Sequence, residues 1–138
     1  MCTYLSTESF RTQISKLTKK AKDGYSSINE DVCSVFSSLK HEDIVQLSTT
    51  IWEEETFKIK KIRIGNSHLK LSKRDGFRLF FLVRKDRKEV VFLFAYPKNG
   101  CHGQIDIPTK DRLNLLKEYI NTAGSLVKHD IANSLAPI

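Results

Sequence analysis

Cysteine is scarce and unpaired in this chain: Cys2, Cys33 and Cys101 form no CxxC and are odd in number. That excludes a disulfide framework and a zinc ribbon, and reduced, partly buried thiols are expected. Metal-ligand spacing is missing from His41, His68, His102 and His129. His102, beside Cys101, is the one to watch, and a surface histidine is expected there. No apolar run approaches the ~20 residues that span a bilayer. The opening MCTYLSTESF lacks the basic-then-apolar pattern of a secretory signal. A cytoplasmic protein with no membrane contact is expected. Internal repeats and low-complexity tracts are absent too.

The apolar share of 40% and charged share of 28% over 138 residues are those of an ordinary globular protein. One domain spanning 1–138 is expected, long enough to bury a real core. Charge is the uneven quantity. Residues 56–88 hold 12 Lys/Arg and 2 acids, a local net of +10, while the rest of the chain carries −3. A concentrated basic strip suits a polyphosphate surface. The plainer alternative is a solvated sheet face with lysines guarding an edge.

Residues 2–5, CTYL, read as a short first strand. Ser6 or Thr7 can cap a helix over about 8–22, whose Phe10, Ile14, Leu17 and Ala21 recur at helical spacing. Ser27-Ile-Asn-Glu30 has the form of a capping box and opens a second helix, 27–40, with Ile28, Val32, Val35, Phe36 and Leu39 on one stripe. Two such helices joined by a short turn make an antiparallel pair. The acidic stretch 41–56 is expected to be a connector with a short helical turn.

From Phe57 the period becomes two, but FKIKKIRI slips phase at Lys60-Lys61. A regular strand would send Lys58 and Lys60 to one face, Lys61 and Arg63 to the other. A β-bulge at Lys60-Lys61 would put the cations on a common face and the apolar residues in the core, so a bulge is expected. GNSHLKLSKRD (65–75) is a polar loop. Phe77–Arg84 and Glu89–Tyr96 are central strands joined by the turn RKDRK. Pro108-Thr109 opens a last helix with Leu113, Leu116 and Ile120 on one side; beyond Gly124 the chain is a short helix or loose tail. The expected fold is α+β: a small antiparallel meander with helices packed on one face.

With the turn centred near Lys85–Arg87, Arg78 falls opposite Ala95 or nearby and Phe77 opposite Tyr96. Arg78, Tyr96 and Lys98 then gather at the mouth of the hairpin, and the neighbouring strand brings Lys61 and Arg63 to the same sheet. Clustered Lys, Arg and Tyr without an acidic pair suit cleavage of RNA through its own 2′-hydroxyl. Arginine forks match phosphate oxygens, a lysine crowded by cations can act as a base, and tyrosine can stack or assist proton transfer. Phosphate binding without turnover uses the same residues.

At these residues the chain resembles the RelE/HigB group of bacterial type II toxins in the RelE/ParE superfamily. The likeness rests on KIRIG (61–65), KRDGFR (73–78), FAYPKNG (94–100) and the first-helix segment FRTQISKLTKK (10–20), and it covers roughly residues 2–120. KRDGFR stands where that group has a more glycine-rich pattern. The resemblance implies a small antiparallel sheet with two N-terminal helices and a C-terminal helix. It also implies ribosome-dependent mRNA cleavage, no metal or cofactor, and a cognate antitoxin protein as partner besides ribosome and mRNA. Lys61, Arg63, Arg78, Tyr96 and Lys98 are the implied catalytic residues; Lys58, Lys60, Lys70, Lys73 and Arg74 are the expected RNA contacts. Residues 121–138 exceed the group's usual domain and carry no assigned activity. ParE-like members poison DNA gyrase instead, and that reading stays open, as does a non-catalytic RNA-binding regulator.

Overall fold

The chain begins as a short strand, β1 (Thr3–Ser6), that turns directly into helix α1 (Glu8–Thr18). The computed structural model describes residues 2–19, 24–47, 49–98, 109–121 and 126–129. Expectations for 20–22, Cys101, His102, Pro108 and the tail from 130 lie outside the described residues. At the start of α1, Thr7 is extended and its hydroxyl accepts from the Phe10 N–H at 3.2 Å, which satisfies one of the helix's unpaired amides.

Helix α2 (Ile28–Phe36) follows without the expected capping box, because the Ser27 side chain makes no cap bond. Its hydroxyl donates to Asp31 Oδ2 at 2.7 Å instead, and Asp31 also accepts from the Ser67 N–H at 3.0 Å. The helix start is thus bonded to a distant loop. The acidic connector holds a short helix, α3 (His41–Val45), as expected, and also a strand, β2 (Thr50–Glu53), which was not. Strands β3 (Phe57–Ile64), β4 (Phe77–Arg84) and β5 (Glu89–Pro97) come next, then helix α4 (Thr109–Asn121) and a two-residue strand, β6 (Val127–Lys128).

The fold is α+β, with one six-stranded sheet in the order β2-β3-β4-β5-β1-β6. Neighbours are antiparallel except β1, which runs parallel to β5 with Leu5 beside Val91. The sheet is therefore a meander of four strands extended by β1 and then β6, rather than a meander alone. Residues 126–129, expected as short helix or loose tail, close the far edge. Leu5 pairs with Lys128, and the His129 N–H donates to Tyr4 O at 2.8 Å. The His129 ring stands edge-on to Phe10 and Phe92, and its Nε2 pairs with Asn29 Oδ1 at 2.9 Å. This histidine is a packing residue.

Both faces of the sheet are covered. On the first, Phe10, Leu17, Ile28, Val32 and Phe36 of α1 and α2 meet Phe77, Phe81 and Phe92. On the second, Leu115, Leu116 and Tyr119 of α4 meet Phe80, Leu82 and Leu93. The two N-terminal helices share the first face, as expected, but α4 takes the second, because β4 and β5 are apolar on both sides and exposing either would leave large side chains in water. The packing stripe of α4 also differs from the expected one: Leu116 packs, whereas Leu113 and Ile120 are exposed.

The loop 65–76 is anchored at several points. Asn66 bridges to Leu71, and its buried amide donates to Gly24 O at 2.8 Å. The His68 N–H donates to Ser27 Oγ at 3.2 Å. Gly76 is required for the approach to β3: a Cβ there would stand 2.2 Å from Ile64 O. Among the described residues, no helix is long and apolar enough to cross a membrane.

Candidate nucleic-acid interface

Strand β3 decides where the cations point. It pairs with β4 in unbroken register from Phe57 opposite Arg84 to Ile64 opposite Phe77. The expected bulge at Lys60-Lys61 is absent; the irregularity of this part of the sheet lies between Phe80 and Phe81, against β5. Strict alternation then puts Phe57, Ile59, Lys61 and Arg63 on the second face, and Lys58, Lys60, Ile62 and Ile64 on the first. With both faces covered, each apolar pair has its own core, Ile59 in one and Ile64 in the other. No bulge is needed to bury them.

Lys60 is the cost of that alternation. Its side chain is 1% exposed, and Nζ donates to Leu47 O and to Thr50 Oγ1. It holds the start of β2 against β3 and presents no charge to a ligand, which corrects its assignment as an RNA contact. Lys58 shares its face. Lys70 is exposed with positive φ and lines the same depression as Asp31 and Ser34 of α2. These three expected RNA contacts stand apart from the rest.

The others converge. Past the irregularity at Phe80 the β4–β5 register moves by one, so Arg78 stands opposite Tyr96, not Ala95, and Phe77 opposite Pro97. On its other side Arg78 faces Arg63. Arg63, Arg78 and Tyr96 therefore form one row across three strands, with successive Cβ atoms about 5 Å apart. Lys98 is just beyond: its N–H donates to Gly76 O at 3.0 Å.

Within this row the side chains have different roles. Arg63 is exposed, while Arg78 is 5% exposed. The Arg78 guanidinium donates from Nη1 to Lys73 O (2.9 Å) and Phe77 O (3.1 Å), and from Nη2 to Arg74 O (2.8 Å). Burial, and then repulsion from Arg63, lower its pKa; Tyr96 and Asp75 act against them. An arginine keeps its proton regardless. Arg78 is thus a clamp that holds the exposed Lys73 and Arg74 beside Arg63, its guanidinium turned to backbone carbonyls at the hairpin mouth. Tyr96 is fully buried and stacked on Phe80 at 6.2 Å, so that face of its ring is not open to a base.

Three residues that the sequence did not single out, Phe80, Arg112 and Trp52, complete the surface around Lys61. Lys61 Nζ is 6.0 Å from the Phe80 ring centroid, and the Arg112 guanidinium of α4 is 5.6 Å from it, both within cation–π range. Phe80 also forms part of an apolar pocket of about 160 Å³ between the sheet and α4, with Trp52 at its mouth. The spacing of Arg112 from Leu115 and Leu116 could have placed it on the inner side of α4. Trp52 lay in a stretch without a legible period. Among the described residues no three His, Cys, Asp or Glu side chains gather as a metal site requires.

Comparison with family models, with curated proteins and with solved structures returned no match to this chain.

Proposed function

We propose that the chain is a toxin of the RelE/HigB kind, a ribosome-dependent mRNA endoribonuclease held in check by a cognate antitoxin protein. The observation that carries this reading is the row of Arg63, Arg78 and Tyr96, flanked by Lys61 and Lys98 and supplied with Lys73 and Arg74 by the Arg78 clamp. Such a surface suits a phosphate backbone: Arg63 offers a planar fork of donors that stays charged, and Lys61 adds a point charge on the same face. In cleavage, the substrate's own 2′-oxygen attacks the adjacent phosphorus and the P–O5′ bond breaks. The 2′-hydroxyl proton passes to a base and the departing 5′-oxygen takes one up. Lys61 and Lys98 are the proposed proton carriers, and Arg63 offsets the charge on the phosphorane. Arg78 is a positioning residue.

A second reading, RNA binding without turnover, is favoured by the burial of Tyr96 and the inward bonding of Arg78. Primer extension on mRNA after brief expression separates the two. Under the first reading wild type leaves cut ends, and Arg63→Ala loses about 10²–10³ in rate, the usual effect of one charge-stabilising donor. Arg63→Lys restores only part of it. Equal cutting by Arg63→Ala and wild type would mean that the site is misplaced. Translation arrest with intact mRNA selects binding alone, and growth arrest with translation intact selects the gyrase-type alternative.

A further inference from the structure

We propose that the apolar pocket beside Lys61 receives one unstacked nucleobase of the RNA strand whose phosphates lie along Lys61 and Arg63. This rests on the RNA-binding reading above. Ile59, Lys61 and Arg63 follow one another on the same face of β3, about 7 Å apart. The first lines the pocket, and the next two carry the cations. A strand bound along Lys61 and Arg63 therefore passes the pocket mouth without a change of direction.

The pocket has the form of a ring site. Ile59, Phe80, Leu93 and Leu116 are among its walls, and its volume of about 160 Å³ suits one flat ring system; pockets for drug-sized ligands begin near about 300 Å³. At the mouth, Trp52 is 42% exposed, and its indole N–H donates to Glu54 Oε1 at 2.8 Å. The indole is thus oriented before a ligand arrives. It offers a π-face of the kind on which bases stack whatever their identity.

Charge favours a nucleotide over an apolar peptide side chain as the occupant. Lys61 and Arg112 both lie over the ring of Phe80, so the wall is apolar while its surroundings are positive. A leucine gains nothing from those cations, and a phenylalanine no more than a cation–π contact. A nucleotide brings a phosphate to them together with its base. Of the acids in β2 and the turn after it, Glu53 is paired with Lys85 at 2.9 Å, and Glu54 accepts from the Trp52 indole at the pocket mouth, which leaves the two cations over Phe80 as the charges on the opposite wall.

Trp52 is the sole tryptophan of the chain, so its emission reports on the pocket mouth directly. The purified full chain is titrated with a short single-stranded RNA oligomer and with an abasic oligomer of equal length. The base-bearing oligomer should quench Trp52 and bind on the order of tenfold more tightly than the abasic one. Leu113→Glu places a carboxylate at an exposed position of the lining and should reduce base-bearing RNA to the abasic level, leaving abasic binding little changed. Trp52→Ala, followed by anisotropy of a labelled oligomer, should do the same; circular dichroism checks both variants. If both oligomers bind equally, leave Trp52 emission unchanged and are weakened alike by Arg63→Ala, RNA binding stands and the pocket proposal falls, leaving the groove to a protein partner. If neither oligomer binds, the pocket proposal falls, and cut or intact mRNA in the primer extension decides the ribosome-dependent reading by itself.

Discussion

At Lys60 burial, and after it the neighbouring charge of Lys58, pull the pKa below the ordinary lysine value of 10.5. A lysine with a lower pKa folded than unfolded loses its proton first in the folded protein. Between the two values the unfolded chain binds more protons, so stability rises with pH there. The penalty is in full force below the folded pKa and is relieved as pH climbs toward 10.5. Urea unfolding at a series of alkaline pH values should show wild type gaining stability faster than Lys60→Met, which has no charge to relieve. Parallel pH profiles would show that Lys60 is better solvated than its contacts with Leu47 and Thr50 indicate.

The two arginines facing each other across β3 and β4 should separate by phenotype. Arg78→Ala leaves three carbonyls without their donor and should cost about 2–3 kcal/mol in urea unfolding. Arg63→Ala removes an exposed side chain and should change stability by no more than about 0.5 kcal/mol while weakening RNA binding. Sequence alone could name both as cations of one site. It could not tell ligand contact from clamp, because that depends on where the carbonyls of Lys73 and Arg74 fall, and a mostly polar loop of eleven residues has no period from which to read it.

Among the elements, the three long strands and the first two helices were legible because each carries a sustained apolar period. The elements that escaped were those too short to have one: β2 with four residues and β6 with two. The phase slip in FKIKKIRI was real in the sequence but misleading as a sign of a bulge. It marks a strand with a core on each side, and only the presence of α4 on the second face reveals that. The junction of loop and strand at Gly76 gives a direct test of register. Gly76→Ala would drive a methyl into the carbonyl of Ile64 and against the Asn66 amide. A loss of more than about 3 kcal/mol, or insoluble protein, is expected. The edge formed by β6 depends on His129 in the same way. His129→Ala removes an aromatic contact with Phe10 and Phe92 and the pairing with Asn29. It should cost about 2 kcal/mol, with Leu5 and Ser6 losing hydrogen-exchange protection before the central strands do.

For the whole molecule, the strip of net charge +10 acts as less than its sum, since alternation along β3 turns Lys58 and Lys60 away from the row. The cations of the strip left near the row are Lys61, Arg63, Lys73 and Arg74, and Lys98 joins them from beyond it. If about five phosphates are neutralised, affinity for single-stranded RNA should fall with salt at a log–log slope of roughly −3.5. A slope near zero would point to a protein ligand. The segregation of charge was plain in the sequence; its division between two faces was not.

The placement of β6 also governs the order in which this sheet can assemble. Ser6 and Val127 are hydrogen-bonded across 121 positions, a closure among the most distant a chain of this length can make. Contacts of such separation form late, since their entropy cost must be met before they stabilise anything. A ribosome that has released residues up to 98 has already produced the hairpin and every cation of the row. It has not yet produced the strand that covers β1. Until it does, Thr3–Ser6 carries an unpaired outer edge, the kind of surface that recruits other chains. Whatever first meets the nascent protein therefore meets the cations of the row, still without Arg112 and α4, beside a sheet open at one side.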